Sequence, residues 1–177
     1  MSELAFANNL PTNCSVVRRF KESFDDMWDY FGSVEAVQFK VLSDIRLLGT
    51  GLYGDGGQFN ASLKLFRLRN GDDQLRVMVA SVDNVFYEAH PPTVIAPISF
   101  SEPAQIPANV WHAITAQITK PANKTRYRKG AGGYGNVEAD GVVFTFRNSI
   151  AIADNGSDIS QGQIPELYFQ IASQCAE

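Results

Sequence analysis

Cysteine and histidine are scarce in this 177-residue chain, with two of each. Cys14 and Cys175 stand near opposite ends, so they can build neither a CxxC metal spacing nor a dense disulfide framework. They bridge if the ends of a sandwich meet, or stay as two free thiols in a reducing compartment; both readings are open at this level. His90 precedes two prolines in a turn, and His112 follows Trp111 at the start of an expected strand. Neither sits in a recognisable catalytic frame, so the expectation is no enzyme, no metal and no cofactor. Charge is also thin. Fifteen Lys and Arg against nineteen Asp and Glu leave a net charge of −4, with pI near 5.2, which gives nucleic acid or an anionic bilayer no broad cationic surface. No apolar run approaches the roughly 18 residues that cross a membrane. The segment from Met1 to Pro11 lacks a basic start with an apolar stretch behind it. The chain is therefore expected to be cytoplasmic and not secreted, with no membrane insertion, and the N-x-S/T triplets at Asn13, Asn60, Asn123 and Asn155 read as chance.

What the chain has in quantity is apolar and aromatic surface: 45% hydrophobic residues, twelve Phe, fourteen Gly and eight Pro. That composition suffices to offset chain entropy in one domain. The pattern has period two. Val37, Phe39 and Val41 alternate with Gln38 and Lys40, and Phe59, Ala61, Leu63 and Leu65 alternate with Asn60, Ser62 and Lys64, as half-buried strands do. Similar runs near 44–48, 74–82, 93–100, 111–119, 142–146 and 167–171 are separated by turn residues such as Asn70-Gly71-Asp72 and Asn155-Gly156. About ten strands follow, and the fold class is all-β, an antiparallel β-sandwich of jelly-roll type. Lys21 to Tyr30, with Phe24, Met27, Trp28 and Phe31 at helical spacing, reads equally as a turn of helix or an irregular entry loop.

Gly49 to Gly57 reads as a hairpin turn that uses positive φ. A dinucleotide-binding loop would lead into a helix, whereas Phe59 to Leu65 alternates as a strand. The sharpest charge feature is Lys120, Lys124, Arg126, Arg128 and Lys129 around Tyr127. In a strand Lys124, Arg126 and Arg128 share one face, as a stripe for an acidic peptide or phosphate or as a solvated surface; so short a run makes too few phosphate contacts for nucleic acid. Glu22, Asp25, Asp26 and Asp29 form an opposite field, read as an exposed acidic entry segment.

Three ordered blocks resemble one family. Arg19-Phe20, Trp28-Asp29-Tyr30, Gly32, Glu35 to Phe39 and Gly49 to Gly54 with Gly57 resemble the opening of PHR domains. Phe100 to Pro103, Ile106 and Trp111 agree more loosely with the middle. Gly141 to Phe146, Asn155-Gly156-Ser157 and Gly162 to Leu167 are similar to the end. The resemblance covers Cys14 to Gln170. The domain is placed at 14–171, with 1–13 and 172–177 flanking it. Three departures stand out: Glu35 where the family usually has Asp, Ser157 where it has Thr, and His112 where it has an aromatic.

The resemblance implies an antiparallel β-sandwich that serves as a non-catalytic protein-interaction module. PHR domains belong to giant neuronal ubiquitin ligases of the Pam and Highwire type, acting in synapse and axon development, and to BTB adaptors of cullin ligases. The run from Gly57 to Phe66 looks more like the ligases, and a single monomeric domain of such a protein is expected. Loops at the ends of the strands carry recognition in a sandwich. Tyr53, Gln58, Tyr134, Asn155 and Gln161 are therefore the candidate exposed partner-binding residues, beside Lys124, Arg126 and Arg128. Glu166 is expected to anchor a loop by accepting backbone N–H bonds. A carbohydrate-binding sandwich, suggested by Trp111-His112, is the reading from another class.

Overall fold

The computed structural model describes residues 10–30, 32–54, 57–89, 94–119 and 125–172, with the side chains of 23–30, 57 and 125–128 outside that description. Among the described residues there are thirteen strands and no helical element. They are β1 (Ser15–Arg18), β2 (Phe20–Tyr30), β3 (Val34–Val41), β4 (Ile45–Tyr53), β5 (Gly57–Arg69), β6 (Asp72–Ala89) and β7 (Ile95–Ile106). β8 (His112–Thr119), β9 (Thr125–Gly133), β10 (Asn136–Ala139), β11 (Val142–Asn148), β12 (Gln161–Gly162) and β13 (Glu166–Ile171) complete the set.

A six-stranded sheet runs β10-β11-β3-β8-β5-β6, a four-stranded sheet runs β1-β13-β4-β7, and a small sheet runs β12-β9-β2. Every pairing is antiparallel. The alternation seen in the sequence is what builds the first sheet. Ala61, Leu63 and Leu65 of β5 stand opposite Ile118, Ala116 and Ile114 of β8, and all six are buried. From the second sheet, Ile45, Leu47, Ile98, Leu167 and Phe169 join the same core. Phe144 of β11 meets Phe39 of its own sheet at 6.4 Å between ring centroids and Phe169 of the other sheet edge-on at 5.0 Å. Burying such a side chain contributes on the order of 1.5–3 kcal/mol. The β-sandwich expected from periodicity is the fold of the protein.

Two local expectations are overturned. The segment 21–30 is neither helix nor loop but part of β2, because its backbone finds a partner in β9, from Phe20 opposite Gly133 to Tyr30 opposite Thr125. Helical spacing of four apolar residues was a weaker signal than a long antiparallel neighbour. The stretch from Gly49 to Tyr53 is likewise strand rather than turn: β4 lies between β13 and β7, and none of Gly49, Gly51 and Gly54 has a positive φ. A Cβ at Gly49 would collide with the carbonyl oxygen of Ile98, and one at Gly51 would sit 2.8 Å from Tyr168 Oη. Glycine is there so that neighbours can approach. By contrast Asn70 and Gly71, with φ of 53° and 73°, make the tight β5–β6 turn that such a dipeptide favours.

Candidate protein-interaction face

The face is organised by a residue that the apolar pattern hides. Arg19, between β1 and β2, is buried. Its N–H donates to Pro165 O at 2.8 Å and its carbonyl accepts from Tyr134 N at 3.0 Å. Nη1 donates to Ile164 O at 2.9 Å and Nη2 to Asp158 O at 3.3 Å. The guanidinium lies 4.7 Å from the centroid of the Phe20 ring and 5.6 Å from that of Phe146. Nη1 is also 4.0 Å from Glu35 Oε1. Glu35 in turn accepts Gln163 N–H on both oxygens at 2.7 Å and Ile164 N–H at 3.0 Å. The loop from 149 to 165 is thus clamped by a cation on its carbonyls and a carboxylate on its amides. A Cβ at Gly162 would run into that carboxylate, which is why glycine stands there.

Burial pushes the Arg19 guanidinium down to about 10, against the pull of Glu35, Tyr53 and Asp158, so it stays charged at neutral pH. Burial pushes the Glu35 carboxyl up, opposed by Arg19 and by the Gln163 and Ile164 amides. Partial burial also acts to raise Asp158, but donors from Ser160 and Gln161, with Arg19, hold it below the ordinary carboxylate range.

The sequence-derived candidates fall unevenly around this clamp. Tyr134 is 40% exposed, with the Lys21 ammonium 5.0 Å from its ring centroid, a cation–π arrangement. Gln161 is half-buried and accepts from Lys129 Nζ at 3.4 Å. Asn155 is half-buried, and its Oδ1 accepts Ser157 N–H at 3.0 Å, a turn-stabilising role. Gln58 is exposed on β5 and donates to Glu88 Oε1 at 2.7 Å. Tyr53 is not exposed as expected: it is 3% accessible. It ends a strand flanked on both sides, and its carbonyl accepts Tyr87 Oη at 3.2 Å. Burial, with the Glu166 charge nearby, pushes its phenol up to about 12.

Lys120 and Lys124 lie outside the described residues, as do His90 and Cys175. Arg126 and Arg128 are on β9, and Arg126 stands opposite Asp29 of β2. The basic run and the acidic segment, read apart in the sequence, are neighbouring strands of one ribbon, where opposite charges across the ladder are favourable. Glu166 does not anchor a loop through backbone amides. It accepts from Arg18 Nε at 3.1 Å and Tyr168 Oη at 2.8 Å, and the anchoring role belongs to Glu35. Cys14 is a free, half-buried thiol. His112 is buried, stacked on Phe39 at 5.8 Å, and burial lowers its pKa. Trp111 has the Arg147 guanidinium 3.8 Å from its ring centroid, so Trp111-His112 presents no pair of exposed rings on which a sugar could stack.

Sequence reasoning missed Arg18 and Lys21, which line two adjoining depressions. One, of about 160 Å³, also has Phe20, Tyr53 and Glu166 in its wall; the other, of about 610 Å³, has Tyr134, Glu138 and Asp140. The overlooked signal was Glu35 itself. It shares the register of Val37, Phe39 and Val41, and a carboxylate on a core-facing row needs a buried partner. Among the described residues no group of three or more His, Cys, Asp or Glu is placed to hold a metal ion.

Comparison with known proteins agrees with this geometry. The family model for the PHR domain matches residues 18–170. The chain is a PHR domain. Its sequence is 35% identical over 164 residues to the E3 ubiquitin-protein ligase MYCBP2 of Danio rerio and 32% identical over 164 residues to the E3 ubiquitin-protein ligase highwire of Drosophila melanogaster. In each case 90% of this chain and 3% of the ligase are covered. It is 30% identical over 162 residues to BTB/POZ domain-containing protein 6-B of Danio rerio, covering 90% of this chain and 31% of that protein. The chain therefore spans a small fraction of the relatives it matches, and PHR domains occur in both ubiquitin ligases and BTB proteins. Two of the three blocks that carry the PHR resemblance meet at the clamp: Arg19 and Glu35 from the opening, Gly162 to Glu166 from the end.

Proposed function

We propose that this PHR domain is a non-catalytic interaction and targeting module of a large neuronal ubiquitin ligase, working in the cytoplasm of axons and synapses, where it brings protein partners to a catalytic region elsewhere in that ligase. The observation that carries the reading is the exposed Tyr134–Lys21 pair on a face whose backbone is fixed from beneath by Arg19 and Glu35. A rigid aromatic at the rim of a depression is the kind of anchor that dominates protein interfaces, and a pre-ordered loop binds without an ordering penalty. Somewhat higher identity to the two ligases than to the BTB protein supports the first parent class. Substrate docking in a BTB adaptor is the alternative within the same class.

The test is capture from neuronal lysate on immobilised domain, read by quantitative mass spectrometry. Proteins held by the native domain are expected to be lost with Tyr134→Ala plus Lys21→Glu, at an unchanged thermal midpoint. A charge reversal at Lys124, Arg126 and Arg128 shows whether the β9 ribbon shares in binding. Equal capture by the native domain and the Tyr134→Ala, Lys21→Glu variant would remove this face from the proposal.

A further inference from the structure

The first half of β6 breaks the usual rules for the edge of a sheet. β6 pairs with β5 on one side, and no described strand is hydrogen-bonded to its other side. Leu75 (53%), Val77, Met78 (54%) and Val79 are nevertheless exposed along it. Of the nine residues 74–82, Arg76 is the single charged one, and none is proline. Natural edges are normally blunted by charge or proline, because the free N–H and C=O row is a template for another strand. Here the protective devices are Arg76 and two irregularities, one between Leu65 and Phe66, where Val79 is the extra residue, and one between Leu68 and Arg69, whose partners Arg76 and Asp72 leave Asp73, Gln74 and Leu75 outside the register.

Beside this edge lies a cleft of about 720 Å³ whose wall includes Val77, Val79, Leu68, Trp111, Arg67 and Arg69, and no carboxylate. Arg67 and Arg69 are both exposed, and neither belongs to an ion pair among the described residues. Asp72 is opposite Arg69 across the hairpin, but its Oδ1 accepts Gln74 N–H at 2.9 Å. Asp73 is engaged by Gln38 at 3.0 Å and Ser149 at 3.1 Å. In a domain of net charge −4, two cations without acidic partners sit over apolar side chains at an open strand edge.

We propose that the β6 edge is a second docking site, separate from the Tyr134 face, that takes an extended partner segment carrying both apolar and Asp or Glu side chains on one face, two positions apart, because Arg67 stands opposite Val77 on the same face of the sheet. The segment adds a strand to β6 through main-chain hydrogen bonds, lays its apolar side chains on Val77 and Val79, and sets its carboxylates against Arg67 and Arg69. Strand addition supplies affinity through the backbone and selectivity through alternate side chains, and the cations reject basic segments of the same apolar pattern.

Nine-residue random peptides displayed on phage and selected against the full chain test this. Enriched peptides are expected to carry apolar and acidic residues two positions apart, on one face of an extended strand, and to slow amide hydrogen exchange at 74–79. Binding should fall at least tenfold with Arg67→Glu plus Arg69→Glu, and also when the peptide is N-methylated at alternate residues. The same peptides should bind Tyr134→Ala normally, which separates failure here from failure of the first face. Peptides without acidic residues, protection at 149–165 instead of 74–79, no enrichment, or indifference to the arginine reversals would each overturn the proposal. So would self-association of the chain through this edge, seen by sedimentation and unchanged by those reversals.

Discussion

The interior between the two large sheets and the clamped loop end solve the same problem in opposite ways. Between the sheets the buried set is aliphatic and aromatic, from Phe39 and Leu63 to Phe144 and Phe169. At the loop end a guanidinium and a carboxylate are equally buried, and the Gln163 amide beside them is enclosed with neither its Nε2 nor its Oε1 hydrogen-bonded. Apolar burial is non-directional and tolerates small shifts, whereas each contact of Arg19 and Glu35 requires one geometry. The core therefore sets how stable the domain is, and the clamp sets where the 149–165 loop sits.

Breaking the clamp from one side should have the largest effect. Arg19→Met leaves Glu35 buried without its cation and is expected to lower stability in urea unfolding by about 3–5 kcal/mol. Replacing both, Arg19→Met with Glu35→Leu, should recover part of that loss while hydrogen exchange at 155–165 stays fast. Leu63→Ala probes the other region. Lost transfer energy plus a cavity is expected to remove about 2–5 kcal/mol, with exchange raised throughout the sheets and no selective opening of the loop. Gly162→Ala is a milder strike at the clamp, since the added methyl displaces the Glu35 carboxylate. A loss of about 1–3 kcal/mol in the same unfolding assay is expected.

The smallest expected effect concerns pH. His112, packed on Phe39, has its pKa lowered by burial. Its contribution is therefore full above the ordinary histidine pKa, near 6.5, and is lost as pH falls through that value toward the folded one. His112→Phe should keep the stacking and remove the titration, so the midpoint difference between the variant and the native chain should widen between pH 7 and pH 5. A constant difference would mean the ring does not titrate in that range.

Much of the sandwich was legible because period two survives wherever one face of a strand is buried, as in Phe59 to Leu65. β2 was not, since its apolar residues satisfy a helical spacing and its partner strand is some hundred positions away, from Tyr30 to Thr125. Nor was the second half of β4, Gly49 to Tyr53: a glycine that admits a neighbour and a glycine that reverses the chain are the same letter. Tyr53 misled for the same reason, being placed on a turn that is a buried strand. The candidate face was only half legible. Tyr134, Asn155 and Gln161 were found through the turns near them, while Lys21 enters from β2, whose path the sequence concealed.

The position of β13 has a consequence for how this domain comes into being. Glu166 to Ile171 lies between β1 and β4 and is hydrogen-bonded to both, so the last of the described strands occupies the middle of a sheet begun by the first of them. During synthesis, at roughly 5–20 residues per second, the segments Ser15–Arg18 and Ile45–Tyr53 must wait for it with their shared strand position unfilled. The β1-β13-β4-β7 sheet therefore cannot be completed hairpin by hairpin as the polypeptide leaves the ribosome, whereas β5–β6 and β10–β11 pair locally. A chain stalled before Glu166 would expose that gap to the chaperones around it.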